Sequence, residues 1–308
     1  MGLEPVSTVY KTGSAILRTL PRPLAEWVAE LGSRAWAMNS PERWLLTERN
    51  VLRADPDLSG ADLRAAVFPS FASYARYWVD SFRLPDLSAE QVDDGFAFEG
   101  YEHIGGAIAR GEGPIVVLPH LGGWEWAAFW ITRVMGLDLT AVVEPVRPPE
   151  LFEFFVKLRS ALGMHIVPLG PTAGREVLAA IRNNHVTVLL ADRDIGGGGI
   201  EVEFFGERTT LPSGPVTLAM RSGAPLIPAA VLFRGAGHYA VVRPPMDLTR
   251  RGSFREDVAR LTQQLAHELE DLIRLAPDQW HLQQPNWPSD YQALAAIGRP
   301  VAPSPGAS

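Results

Sequence analysis

His120 and the acids around it are the residues of this 308-residue chain whose types and spacing suit chemistry. His120 stands two residues beyond the β-branched apolar run Ile115-Val-Val-Leu118, and Glu125 follows it at a separation of five, across Gly122 and Gly123. An imidazole whose tautomer is fixed by a carboxylate can take a proton from an alcohol, because the acid also stabilises the imidazolium that forms. That chemistry needs neither a thiol nor a metal. A lone histidine in a folded chain is more often a satisfied polar group than a base, so its placement counts as much as its type. Glu144 ends a second apolar run, residues 139–143, and Asp192-Arg193-Asp194 ends a third, residues 187–191. Two acids and an arginine at the end of a buried strand are unfavourable unless paired, which makes them an internal ion network or part of a site.

The elements that must position these residues read as follows. Residues 115–118, entered by Gly113-Pro114, have the pattern of a buried strand and residues 124–134 that of a helix, which puts His120 at the joint between them. Such joints display reactive groups in an open α/β sheet, because backbone amides and the helix dipole are exposed there. Gly122 and Gly123 let the chain bend so that Glu125, in the first helical turn, can lie near the imidazole. Further strands are expected at 96–100, 139–143, 165–168, 187–191 and 200–205, with two antiparallel strands within 223–233 and 239–243. Helices are expected at 101–110, 148–162 (carrying Arg159), 174–183 and 254–275. The fold class predicted is α/β, a mostly parallel central sheet flanked by helices on both faces. Residues 6–53 read as helices broken at Pro21–Pro23 and at Ser40-Pro41, where Ser40 suits an N-cap, and residues 61–82 as a helix interrupted near Pro69. Residues 1–295 are expected to form one domain whose first 55 residues or so associate with a membrane. Residues 296–308, small and proline-rich, are expected to be a disordered tail.

Composition excludes several function classes. At 46% hydrophobic the chain can bury a full core, and the absence of cysteine rules out disulfides, thiolate catalysis and Cys-zinc sites. A net charge of −7 argues against a nucleic-acid partner. No run of eighteen apolar residues and no cleavable signal pattern is present, so a cytoplasmic protein is expected. Residues 1–53 nevertheless carry seven Lys/Arg against five acids, together with Trp27, Trp36 and Trp44. That combination suits peripheral contact with an anionic membrane surface. The glycines of Ile195-Gly-Gly-Gly-Gly-Ile200 are followed by a strand, which removes a dinucleotide fingerprint, and there is no P-loop or G-x-S-x-G elbow.

His120-x4-Glu125 behind an apolar strand resembles the His-x4-Asp/Glu signature of the glycerophospholipid and lipid A acyltransferase superfamily, and Gly-x-Trp at Gly122 to Trp124 resembles its lipid A branch. Three longer segments are similar to the lipid A and phosphatidylinositol mannoside acyltransferases, in the same order. They are residues 73–85 with Tyr74-Ala-Arg-Tyr77-Trp78, then Phe204-Phe-Gly206 with Pro212-Ser-Gly-Pro215, then Pro277-Asp-Gln-Trp280-His-Leu-Gln-Gln-Pro285. The resemblance covers about residues 60–290. It implies a glycerolipid-acyltransferase-like fold, acyl-CoA as co-substrate with no cofactor and no metal, a glycolipid acceptor, and a peripheral place on the cytoplasmic face of the plasma membrane. It also implies His120 as the base, with Glu144, Arg159, Arg193, Gly122 and Trp124 around the substrate. The mannoside branch has a relay Glu where this chain has Asp192, one methylene shorter, so either Asp192 or Glu125 stands behind His120. The reaction implied is transfer of a long-chain acyl group, such as palmitoyl, to a mannose hydroxyl of a phosphatidylinositol mannoside. Another glycolipid or a lysophospholipid is the alternative acceptor. The alternatives of other classes are a metal hydrolase using His120, Glu125, Asp192 and Asp194, and a lipid-binding protein without turnover.

Overall fold

Strands that are apolar at every position need cover on both faces, and this chain supplies it with helices. The structure, a computed structural model, describes residues 4–301, with side chains of Tyr10 and from Thr12 on. The strands are β1 (Phe96–Glu99), β2 (Ile115–Leu118), β3 (Leu139–Val143), β4 (Met164–Pro168), β5 (Val186–Leu190), β6 (Ile200–Phe204), β7 (Glu207–Leu211), β8 (Leu226–Arg234) and β9 (Gly237–Val242). The helices are α1 (Glu4–Thr19), α2 (Arg22–Asn39), α3 (Pro41–Ala54), α4 (Gly60–Arg83), α5 (Ala89–Asp94), α6 (Tyr101–Ala109), α7 (Trp124–Phe129), α8 (Pro149–Ala161), α9 (Ala173–Arg182), α10 (Gly214–Ser222), α11 (Phe254–Arg274) and α12 (Pro288–Ala296).

A seven-stranded sheet has the order β1-β9-β8-β2-β5-β3-β4. From β8 to β4 every neighbouring pair is parallel, while β9 runs antiparallel to β8 and carries β1 parallel to itself. The expected α/β class with a mostly parallel sheet is therefore the observed one. Side chains alternate across the strands. Ile115 and Val117 pack into one core with α9, α10 and α11, and Val116 and Leu118 into another with α6 and α7. The two cores lie on opposite faces of the same β2.

Three local readings need correction, and one hairpin was not expected. Helix α4 runs unbroken through Pro69. A proline removes one main-chain donor, and packing of Phe71 against Trp36 and Trp44 holds the helix together across that gap. Helix α7 stops at Phe129 and passes into a π-turn at Trp130–Val134 instead of running on to 134. Ser40 does precede α3, but its side chain makes no capping bond. Finally, β7 pairs with β6 in a separate hairpin whose two-residue tip is Phe205-Gly206, both at positive φ (53° and 73°), the geometry of a tight primed turn. The end of the expected tail, residues 302–308, lies outside the described residues.

Candidate active site

Parallel strands deliver their carboxyl ends to one edge of a sheet, and here β2, β5 and β3 bring His120, Asp192 and Glu144 to the same edge. Pairing register does the rest. Leu118 lies opposite Leu190, so the residues two further on, His120 and Asp192, face each other. The imidazole Nδ1 lies 2.6 Å from Asp192 Oδ1, and the His120 amide donates to Asp192 Oδ2 at 3.0 Å. Asp192 is fully buried, whereas the His120 side chain is 34% exposed and lines a cavity. With Nδ1 on the acid, Nε2 is left without a hydrogen bond among the described residues.

Burial alone would push the Asp192 carboxyl up. The charge of His120 and the hydrogen bonds from its ring, from the Trp280 indole and from the His120 amide outweigh it and hold the group below its ordinary value. Asp192 therefore stays an anion, the state that fixes the tautomer of the imidazole.

Glu125 lies elsewhere. Its carboxylate is buried in the first turn of α7, where Oε1 accepts from the Tyr77 hydroxyl at 2.6 Å and from Arg159 Nη2 at 2.9 Å. The bend at Gly122 that was expected to bring Glu125 towards His120 turns it to α4 and α8 instead. Burial first, and the Glu125 charge second, raise the Tyr77 hydroxyl well above its usual value, so it remains a donor. Arg159 also stacks over the Trp124 ring at 5.3 Å. Glu144 pairs with Arg193, with Oε2 and Nη2 2.6 Å apart. Asp194 accepts from the amides of Gly197, Gly198 and Gly199 and so ties down the glycine-rich loop.

His120 and Asp192 thus pair with each other while Glu125 and Asp194 go to other partners, and among the described residues no group of three or more histidines and acids converges as a metal site. Gly122, expected beside the substrate, does not line the cavity. It bridges to Val231 of β8 at φ 56°, where a Cβ would collide with the Val231 carbonyl oxygen.

The cavity has a volume of about 990 Å³. Its lining combines His120, Trp124, Tyr77, Arg159, Glu144 and Arg193 with the apolar side chains of Val142, Val143, Val177, Leu178, Leu189 and Leu218. Pro212-Ser-Gly-Pro215, at the start of α10, also lines it. The sequence pattern marked Tyr77 only as part of a resembling segment, and did not single out Arg175, Arg182 and Arg221 on the cavity wall. Only the heptad spacing of Arg175 and Arg182 on one helix face marked them.

A sequence-family model described as bacterial lipid A biosynthesis acyltransferase matches residues 6–289. The chain belongs to that family. This acyltransferase is 36% identical over 289 residues to the phosphatidylinositol mannoside acyltransferase of Mycobacterium tuberculosis, covering 91% of this chain and 88% of the relative. It is 35% identical to the protein of that name from Mycolicibacterium smegmatis, over 94% of each chain. A lipid A biosynthesis acyltransferase of Haemophilus influenzae is 30% identical over 60% of this chain and 58% of its own. No helix among the described residues of the acyltransferase is long and apolar enough to cross a membrane.

Proposed function

We propose that this acyltransferase moves a long-chain acyl group, such as palmitoyl, from acyl-CoA to a mannose hydroxyl of a phosphatidylinositol mannoside. The observation that carries the reading is the His120–Asp192 pair, 2.6 Å apart, with His120 lining a largely apolar cavity. In this scheme His120 Nε2 takes the proton of the acceptor hydroxyl as its oxygen attacks the thioester carbonyl. The tetrahedral intermediate then collapses, the C–S bond breaks, and the imidazolium returns the proton to the departing CoA thiolate. No covalent acyl-enzyme is needed. The Glu144–Arg193 pair, with Glu144 partly exposed, offers acceptors and donors to sugar hydroxyls.

Support for a phosphate-bearing donor comes from the cavity wall. Arg175 and Arg182 are seven residues apart on α9, about 10 Å along one face, and their side chains make no hydrogen bond or ion pair among the described residues. Arg221 of α10 joins them. Unpaired guanidinium groups suit phosphate oxygens. The names of the mycobacterial relatives favour the mannoside acceptor. We place the protein peripherally on the cytoplasmic face of the plasma membrane, through α1 and α2.

The test incubates the protein with palmitoyl-CoA and a panel of mannosides, other glycolipids and lysophospholipids, and identifies the acylated product by mass. A mannoside product is expected, with turnover lowered about 10²- to 10⁴-fold in His120→Ala. A palmitoyl thioester of N-acetylcysteamine, which lacks the phosphates, should be a far poorer donor. Retained turnover in His120→Ala contradicts the base. A lysophospholipid product moves the acceptor.

A further inference from the structure

The acid of the dyad is gripped from a side the cavity does not reach. A carboxylate turns about its last bond in a broad torsional well, so the single bond from Asp192 Oδ1 to the imidazole does not fix its plane. The other oxygen does: Oδ2 accepts from the His120 amide at 3.0 Å and from the indole N–H of Trp280 at 2.9 Å.

Trp280 lies on a strap, residues 279–286, that runs beside the His120 loop. Gly122 N donates to Gln279 O at 3.0 Å, His281 N donates to His120 O at 2.8 Å, and Leu121 bridges Trp280. The Gln279 side chain bonds both main-chain groups of Phe233 on β8, at 2.6 and 3.1 Å, and Asn286 Nδ2 donates to the Asp192 carbonyl at 3.0 Å. The strap therefore holds the backbone of the base, and both the backbone and the carboxylate of the acid.

The tip of the β6–β7 hairpin closes on the strap. Phe205 sits at φ 53°, a region that bulky residues avoid. Its ring lies 5.3 Å from Trp280, while Trp287 meets Trp280 edge-on at 6.2 Å. A strained conformation of this kind persists only where its surroundings over-determine it. Trp280, Gln279, Asn286 and Phe205 do not line the cavity, so they reach the chemistry only through Asp192 and His120.

We propose that Trp280 is a positioning residue of the His120–Asp192 dyad, its indole N–H setting the plane of the Asp192 carboxylate, with the Phe-Phe-Gly hairpin acting as its buttress. The proposal rests on the reading of His120 as the base. The hydrogen bond from Trp280 is also one of the influences that hold Asp192 ionised in a fully buried position.

Trp280→Phe keeps an aromatic ring and removes the N–H. In the full-length protein it is expected to lower kcat about tenfold, or about 1.4 kcal/mol in activation free energy. KM for the thioester and for the acceptor should stay within about twofold, because no substrate contact is lost. In an Asp192→Ala background the same substitution should change kcat by less than about twofold, since groups acting as a unit are not additive. If Trp280→Phe does not fold, β-(3-benzothienyl)alanine at position 280, which keeps the indole shape with sulfur in place of N–H, is expected to give the same loss. Wild-type kcat in either variant, an equal loss in the Asp192→Ala background, or a change carried by KM would overturn the proposal. Failure of the underlying reading shows separately, as turnover retained by His120→Ala. Failure of the positioning role shows as turnover retained without the indole N–H in a protein that His120→Ala silences.

Discussion

His281 lies against the dyad yet is kept neutral. Burial first, and then the nearness of the His120 ring, push it down to about 3, with the Asp192 charge pulling the other way. Its Nε2 pairs with Ser73 Oγ at 2.9 Å. His238, buried and stacked on Trp126, is also lowered well below its ordinary value, by burial and then by Arg76 and Arg22. For both, the folded value lies below the unfolded one of 6.5, so the unfolded chain binds the proton more readily. Their contribution to stability is complete above pH 6.5 and is lost as pH falls from there towards the folded values. Asp80, raised by burial, acts in the opposite sense at lower pH. The expected result is an unfolding free energy that declines below about pH 6.5 in denaturant titrations. His281→Gln should flatten that decline by up to about 1.4 kcal/mol per pH unit. An unchanged slope would show that His281 is charged in the fold. Which acid stands behind His120 was not legible at this scale. Glu125 is near in sequence, but the partner comes from 72 residues away and is chosen by the register between β2 and β5. Strand ends announce that acids will gather, and only pairing says which of them meet.

At the scale of elements, the pattern of apolar runs located β2, β3 and β5 and hence the edge where chemistry sits. It missed features decided by packing across the chain. Phe205 at the hairpin tip is one, because nothing in the local preference of phenylalanine signals a positive φ. The bend at Gly122 is another, since its direction depends on β8. Gly122 needs both its positive φ and the close approach of the Val231 carbonyl, and its amide anchors the strap at Gln279. Gly122→Ala is therefore expected to lower the melting midpoint and kcat together, by about 1–3 kcal/mol in stability from backbone strain alone. Gly32 is the contrast, lying inside α2 with open space where a Cβ would stand. Gly32→Ala should stabilise the protein by about 0.5–1 kcal/mol. In thermal melts, a midpoint unchanged or raised by Gly122→Ala, or lowered by Gly32→Ala, would contradict the corresponding assignment.

For the whole molecule, the question is how the cavity meets a lipid. The basic excess of the first 53 residues suggested an electrostatic approach to an anionic surface, but the described arginines there are already engaged. Arg18 pairs with Asp86, Arg22 with Glu26, Arg34 with Glu30, and Arg49 and Arg53 with Asp290, while Arg43 lies over the Trp36 ring and bonds Gln283. The aromatic signal also divides. Trp36 and Trp44 pack onto α4, whereas Trp27 is 61% exposed. With Leu24, Val28, Leu31 and Met38, all exposed, Trp27 forms a stripe along α2 at helical spacing, and Ile16 of α1 is exposed as well. The proposed membrane contact is thus apolar insertion more than charge attraction. Fully burying one such side chain is worth about 1.5–3 kcal/mol, so the double substitution Trp27→Asp, Leu31→Asp should weaken co-sedimentation with phosphatidylinositol-containing vesicles at least about tenfold. Wild-type binding should change little between low and high salt, because the described arginines of residues 18–53 already have partners. Turnover on a detergent-solubilised acceptor should survive the double substitution, since neither residue lines the cavity. Binding abolished by salt and indifferent to the two substitutions would instead place the contact on a charged face elsewhere on the molecule.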